Sequence, residues 1–308
     1  AIQGGWEGLH AMNLCGYVHR DVSSGNILLV PASGSLGQRG VIMDLEYAKK
    51  MDDMSSPHDG GVGTTAFMAT EVALMRHHRL VDLRRANIDA HPNRGFRLRL
   101  KHRSRLLLLP PFRHNPLHDM ESIWWLCIWM MFYLVPAGQS VKVQSDNYRQ
   151  VFYNWYTKRE FFDYPLEFYE GTAHLQGLSP FLSILERWST ALGGHYRSSY
   201  EQQDASNTLL KSIRIETNTI QASYKQGRAF LQQLVKASRS LSAIFVSVQE
   251  PSNAGHSTIT TQPLADSLPT TSTEHLAAGP STKTTKRPRE IPSPRTIERE
   301  KVSSMKAT

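Results

Sequence analysis

A short polar loop, placed just before two apolar segments, constrains this chain more than any other feature. Residues 19–26 read His-Arg-Asp-Val-Ser-Ser-Gly-Asn, and the apolar segment Ile27–Val30 follows at once. A second apolar segment, Val41–Met43, comes after a stretch that contains proline and glycine. Apolar β-formers on either side of such a stretch predict a β-hairpin. The sequence therefore predicts a polar loop, a hairpin and a carboxylate, Asp44, at the end of the second strand.

Two further segments follow the hairpin. Residues 49–63 are polar and contain glycine, and residues 63–71 then read Gly-Thr-Thr-Ala-Phe-Met-Ala-Thr-Glu. Later, His-Asp-Met-Glu-Ser at residues 118–122 leads into the apolar run Ile123–Val135. A bilayer needs about 20 apolar residues, and this run is shorter. It therefore predicts a buried core helix rather than a membrane span.

Taken in order, these segments resemble the fungal-type protein kinase family. The loop resembles the kinase catalytic loop, H-R-D and four residues later Asn, and Asp44-Leu45-Glu46 stands where kinases carry D-F-G. Residues 63–71 resemble the G-T-x-x-Y-x-A-P-E end of an activation segment. The resemblance covers about residues 1–250. It implies a protein-kinase-like C-terminal lobe, mainly α with a small β-hairpin.

The sequence lacks a recognisable N-lobe of that fold. Residues 1–17 fit one helix that leads into the polar loop. They contain no glycine-rich phosphate loop, no V-A-I-K-like lysine and no partner glutamate. We therefore expect a C-lobe without the N-lobe that a full ATP site needs, and little activity from this chain alone.

The resemblance implies roles for five residues of the loop and hairpin. Asp21 would accept or orient the proton of the acceptor hydroxyl. Asn26 and Asp44 would hold Mg²⁺, which bridges the phosphates of ATP. His19 and Arg20 would brace the loop. An ordinary carboxylate at a strand end is the alternative for Asp44.

Three more residues take roles by the same resemblance. Thr64 would hydrogen-bond near Asp21, and a structural turn residue is an equal alternative. Glu71 would anchor the end of the segment through an arginine that the sequence does not identify. Asp119 would bond the backbone of the catalytic loop, or serve as a helix N-terminal charge. Ser23 stands where serine/threonine kinases usually carry lysine, which leaves the substrate class open.

The net charge of +8 is concentrated in one region. Residues 76–114 hold 11 Lys or Arg against two Asp, a local +9 that leaves −1 for the rest of the chain. This composition predicts a basic insert that does not belong to the fold, either a retained intron or a natural loop. Deleting Leu80–Leu109 should then leave the fold intact. The region shows no regular alternation of basic and aromatic residues and no recognisable reading helix, which argues against specific nucleic-acid binding.

The last 58 residues, 251–308, hold 26 Ser, Thr or Pro. Such a composition buries too little apolar surface to offset its ordering entropy, so we predict a disordered tail after a kinase-like domain at residues 1–250. Residues 286–289, Lys-Arg-Pro-Arg, are a candidate nuclear import signal or a solvated charge run. Cys15 and Cys127 are expected to be buried free thiols of an intracellular protein, cytoplasmic or nuclear.

The function expected from the resemblance is phosphoryl transfer from ATP, with Mg²⁺, to protein hydroxyls of the serine/threonine type. The partner would be a protein substrate, with no membrane and no specific nucleic acid. A pseudokinase or interaction scaffold, which binds partners without chemistry, remains the alternative.

Overall fold

The computed structural model describes residues 1–35, 37–53, 63–90, 108–136, 140–205, 212–239 and 245–247. The described residues belong to the first of two units, Ala1–Gly255; the second is His256–Thr308. The helices are α1 (Ile2–Leu14), α2 (Thr70–Ala73), α3 (His78–Asp89), α4 (Pro116–Tyr133), α5 (Val141–Phe152), α6 (Trp155–Asp163), α7 (Pro165–Thr172), α8 (Ser179–Asp204) and α9 (Thr217–Ser238), with a 3₁₀ segment at Ala173–Leu178. The strands are β1 (Tyr17–Val18), β2 (Ile27–Val30), β3 (Arg39–Ile42), β4 (Lys49–Lys50), β5 (Leu134–Pro136) and β6 (Phe245–Ser247). The predicted fold class, mainly helical with a small hairpin, is confirmed.

The predicted hairpin is formed by β2 and β3, which pair antiparallel with Ile27 opposite Ile42. One face of this hairpin packs on α1 at helix positions that carry glycine. A Cβ added at Gly5 would lie 2.9 Å from Ile27 Cδ1, and one at Gly8 would lie 2.6 Å from Ile42 Cγ2. Because only glycine leaves this room, α1 and the hairpin approach closely. The pairs β1–β4 and β5–β6 were not predicted.

Helix α4 runs through the centre of the core, as the apolar run predicted. Trp124 and Trp125 are completely buried, and Trp124 Nε1 donates a hydrogen bond to the carbonyl oxygen of Leu185 in α8 at 2.8 Å. The ring of Phe162, from α6, meets Trp124 edge-on at 4.8 Å. Trp129, in contrast, is only partly buried. Within the described part of the chain, no helix is both long and apolar enough to cross a membrane.

Helix α1, which leads into the polar loop, is fixed against α9. Trp6 Nε1 donates to the carbonyl oxygen of Tyr224 at 3.1 Å, and Tyr224 Oη donates to Asn13 Oδ1 at 2.7 Å. Gly227 lets the two helices meet, since a Cβ there would overlap the indole ring of Trp6. The position of the polar loop therefore depends on a contact with a helix more than 200 residues later in the chain.

The prediction that residues 76–114 do not belong to the fold is wrong for the ends of that region. Leu80 and Leu83 of α3 are buried in the core. Arg84 Nη2 forms an ion pair with Asp204 of α8 at 2.8 Å. Positive charges that look excessive in the sequence thus have carboxylate partners from distant segments. Deletion of Leu80–Leu109 would remove core residues and is expected to unfold the domain.

Several other predictions fall outside the described residues or need correction. The middle of the basic region, residues 91–107, and the tail, residues 251–308 with its Lys-Arg-Pro-Arg cluster, lie outside the described residues. Cys127 is buried as expected. Cys15 is exposed, because it is the C-cap residue of α1 and not part of its buried face.

Candidate active site

The backbone of the polar loop, residues 19–26, is held by one buried carboxylate, that of Asp119 near the start of α4. Asp119 Oδ2 accepts a hydrogen bond from the backbone N–H of His19 at 2.8 Å, and Oδ1 accepts one from the backbone N–H of Arg20 at 3.0 Å. His114 Nε2 lies 2.9 Å from Oδ1. Burial alone would raise the pKa of Asp119, but His114 and the loop outweigh it and keep that pKa below its ordinary value. Asp119 therefore stays ionised and fixes the loop.

His19 and Arg20 connect the loop to the residues after β3. His19 is completely buried, and its Nε2 lies 3.0 Å from the carbonyl oxygen of Met43. Arg20 has φ of 77°, in the left-handed region, and its Nη1 donates to the carbonyl oxygen of Tyr47 at 3.4 Å. Both side chains thus connect the loop to the chain on either side of Asp44.

Asp21 is the residue on which the polar contacts of the site converge. Asn26 Nδ2 donates to the backbone oxygen of Asp21 at 2.8 Å and to its Oδ2 at 3.1 Å. Thr64 donates to Oδ1 from its backbone N–H at 2.9 Å and from its hydroxyl at 3.1 Å. Gly63 adopts φ of 117°, which favours glycine, and passes close to the backbone oxygen of Arg20. The carboxylate is therefore held in one orientation from two sides.

Asn26 and Asp44 lie on adjoining chain segments at the open end of the hairpin. The backbone N–H of Met43 donates to the backbone oxygen of Asn26 at 2.9 Å, which extends the ladder beyond Ile27 and Ile42. Asp44 follows with φ of 62° and is exposed. Asn26 uses its Nδ2 toward Asp21, which leaves the amide oxygen as its ligating atom. One amide oxygen and one exposed carboxylate are hard donors that suit Mg²⁺, so this pair fits the metal.

An apolar surface adjoins these two residues. Leu28 pairs with Val41 across the hairpin, and both side chains are exposed. Side chains alternate along a strand, so Asn26, two residues before Leu28, lies on the same face of the hairpin as Leu28. Met43 is exposed as well. The candidate metal ligands therefore border an uncovered apolar platform.

Glu71 anchors the end of the segment at residues 63–71, but its partners differ from the arginine that was expected. Its fully buried carboxylate lies 3.3 Å from His77 Nδ1 and 3.3 Å from His118 Nε2, and it accepts a hydrogen bond from Tyr200 Oη. The backbone N–H of Arg79 also donates to it, at 3.0 Å. An arginine side chain was expected, and histidine and tyrosine side chains take that place.

The charges around Glu71 are balanced by hydrogen bonds inside the core. Burial alone would raise the pKa of Glu71, but the bonds from His118 and His77 place it well below its ordinary value. Burial also lowers the pKa of His118 to about 4, against the effect of Glu71. At neutral pH an ionised Glu71 therefore meets a neutral His118.

Two buried charged residues that hold the segment at residues 63–71, Glu121 and Lys158, were not predicted. Glu121 in α4 accepts from the backbone N–H of Thr70 at 2.8 Å, and Arg79 donates to it at 3.4 Å. Arg79 also forms an ion pair with Asp163 at 2.8 Å. Lys158 in α6 contacts the segment as well. Glu121 lies within the His-Asp-Met-Glu-Ser motif, which could have indicated it, whereas nothing in the local sequence distinguishes Lys158.

The polar loop, the hairpin and the segment at residues 63–71 form part of a mainly helical, kinase-like fold. Residues 2–131 match the family model described as fungal protein kinase. Over these residues the chain is similar to the fungal protein kinase family, and the resemblance seen in the sequence is confirmed. No curated protein matches the chain.

Proposed function

We propose that this protein transfers a phosphoryl group from ATP to serine or threonine hydroxyls of a protein substrate. The observation that carries the proposal is the fixed Asp21, whose carboxylate is held by Thr64 on one side and Asn26 on the other. The match of residues 2–131 to the fungal protein kinase model supports a kinase-like function in general. The hydroxyl type and the use of Mg²⁺ are the further content of the proposal.

Asp21 would act on the proton of the acceptor hydroxyl. Its Oδ2 or Oδ1 receives that proton as the hydroxyl oxygen forms a bond to the transferred phosphorus, while the bond from that phosphorus to the departing diphosphate oxygen breaks. Thr64, through its backbone N–H and hydroxyl, keeps the carboxylate from rotating away. Phosphoryl transfer needs little covalent help, so the main contribution of Asp21 is to position the hydroxyl.

Asn26 and Asp44 would hold the metal, since they present hard oxygen donors on adjoining chain segments. Mg²⁺ with ATP, when bound, supplies the phosphoryl group and neutralises the charge that develops during transfer. The exposed platform of Leu28 and Val41 would accept the flat, apolar base of the nucleotide. Asp119, by fixing the backbone of His19 and Arg20, keeps Asp21 and Asn26 in register.

The same platform supports a partner for this lobe. Exposed leucine and valine side chains beside a polar site suit a covering domain, which would bring a glycine-rich loop and a lysine to the phosphates. With this covering lobe the ATP site would be complete, and the chain alone would turn over slowly.

The test uses the 308-residue chain alone and joined to the ATP-binding lobe of a fungal protein kinase. Each is incubated with Mg²⁺, γ-labelled ATP and peptides that carry a single serine, threonine, tyrosine or alanine at the acceptor position. We expect label in serine and threonine peptides with the joined protein and little with the chain alone. Label in tyrosine peptides only would refute the acceptor class. Absence of label in every reaction would favour the scaffold interpretation.

A further inference from the structure

Lys158 lies near the start of α6, is completely buried, and points its ammonium group at the backbone of the segment beside Asp21. Its Nζ donates hydrogen bonds to three carbonyl oxygens, those of Thr65 at 3.1 Å, Ala66 at 2.9 Å and Met68 at 2.8 Å. An ammonium group has three donors and no acceptor. The three converging carbonyl groups therefore match its full donor set.

Burial acts against the ammonium form of Lys158 and lowers its pKa to about 7, while three kinds of neighbour favour that form. Its Nζ lies 4.4 Å from the centre of the Trp125 ring and 5.5 Å from that of Trp155, where a cation is attracted to the ring face. Glu121 is the carboxylate that stabilises the charge from a distance. Burying an ammonium group is costly, and an apolar side chain of similar length would fill the same space without that cost. The three carbonyl groups are the contacts that such an apolar side chain would leave without a donor.

The carbonyl groups that Lys158 holds belong to the turn that holds Asp21. The backbone N–H groups of Phe67 and Met68 both donate to the carbonyl oxygen of Thr64, at 2.9 and 3.1 Å. Thr64 in turn donates twice to Asp21 Oδ1. A continuous set of hydrogen bonds thus leads from α6 through residues 64–68 to the carboxylate.

We propose that Lys158 is a positioning residue for phosphoryl transfer, which fixes the turn Thr64–Met68 so that Thr64 orients Asp21. The chemistry in this proposal rests on the proposed function, whereas the order of the turn can be measured independently of it. The exposed surface of the turn, at Thr64 and Thr65, faces the solvent from which a substrate hydroxyl would approach. Loss of Lys158 would therefore affect the catalytic step more than nucleotide binding.

Other contacts keep the ends of the segment in place without Lys158. Phe67 packs edge-on against Trp129 with ring centres 5.5 Å apart, and the backbone N–H of Thr70 donates to Glu121. These contacts remain when Lys158 is replaced. The effect of a substitution should therefore be concentrated at residues 64–68 and not spread over the core.

The experiment compares Lys158→Met with wild type and with Lys225→Met, which removes an exposed lysine of α9. Amide hydrogen exchange is followed by mass spectrometry in the full 308-residue chain, without nucleotide. We expect the amides of Phe67 and Met68 to exchange about 10- to 100-fold faster in Lys158→Met, because the turn loses its charge-assisted bonds. Peptides from α4 and α8 should exchange as in wild type, and Lys225→Met should match wild type throughout. Lys158→Gln, which has a terminal amide on a shorter stem and no charge, is measured in parallel and decides by the same criteria if Lys158→Met does not fold.

Unchanged exchange at residues 64–68 would overturn the proposal, and so would a uniform acceleration in all peptides, which indicates a purely structural role. In the phosphoryl-transfer assay, kcat should fall at least about tenfold while KM for ATP is unchanged. A local loss of protection with no transfer activity in wild type would refute the proposed function and leave the positioning of the turn established.

Discussion

Replacement of Asp119 by asparagine tests whether one buried carboxylate holds the catalytic loop. The asparagine oxygen can still accept from one backbone N–H, at His19 or Arg20, but its NH₂ group then faces the other donor. His114 also loses an ionised partner. Hydrogen bonds to a charged group contribute about 1.5–3 kcal/mol each, and a buried donor left without a partner costs a further 1–3 kcal/mol.

From these contributions we expect Asp119→Asn to lower the free energy of unfolding by about 2–4 kcal/mol. Domains are stable by roughly 5–15 kcal/mol, so the variant should still fold. With a denaturant slope near 3 kcal/mol/M, the midpoint of urea unfolding should shift down by about 1 M. The loop amides of His19 and Arg20 should also lose protection from hydrogen exchange.

The matched control is Asp146→Asn, at an exposed position of α5. Its midpoint should stay within about 0.2 M of wild type, as for most surface substitutions. An unchanged midpoint in Asp119→Asn, or the same shift in both variants, would show that Asp119 does not hold the loop in place.

Two further predictions concern packing and pH. Gly227→Ala should destabilise the domain by about 1–3 kcal/mol, because the added methyl group overlaps Trp6. Gly193→Ala has open space around it and should stabilise α8 by about 0.5–1 kcal/mol. Thermal unfolding distinguishes the two variants, and equal effects would contradict the α1–α9 contact. Burial, opposed by Glu121, lowers the pKa of Lys158 from 10.5 to about 7 in the folded chain, so between these values the unfolded chain binds more protons. The stability of wild type relative to Lys158→Met should therefore rise from pH 7 to 10, by at most about 1.4 kcal/mol per pH unit, and a falling difference in urea unfolding would contradict this assignment.

The parts of the fold that depend on local sequence could be predicted. The hairpin follows from two apolar β-forming segments around a proline- and glycine-containing stretch, and α4 follows from a long apolar run bounded by polar residues. The positions of Asp21, Asn26 and Asp44 relative to the hairpin follow from the same local pattern, because all three lie within a few residues of its strands.

The contacts that could not be predicted join segments that are distant in sequence. Tyr200 lies 129 residues after Glu71, and Lys158 lies 90 residues after Met68. No periodicity or spacing connects such pairs. The missing arginine partner of Glu71 could be sought only as a residue type, and the core provided a tyrosine and two histidines in its place.

The basic region shows why composition misled. Arg79 and Arg84 look like part of a charged insert when they are counted with residues 94–105. Their partners are Asp163, Glu121 and Asp204, which lie 42 to 120 residues away. A buried ion pair is visible in the sequence only as two unrelated charges, so the net charge of a segment does not tell whether it is folded.

Asp21→Asn separates nucleotide binding from the chemistry of phosphoryl transfer. The variant, joined to an ATP-binding lobe as above, is compared with wild type for the dissociation constant of Mg²⁺·ATP and for the rate of label transfer to a serine or threonine peptide. Because Asp21 is proposed to act on the acceptor hydroxyl and not on the metal, we predict similar nucleotide binding and a transfer rate lower by about 100- to 10,000-fold. A transfer rate equal to that of wild type would contradict the central role of Asp21.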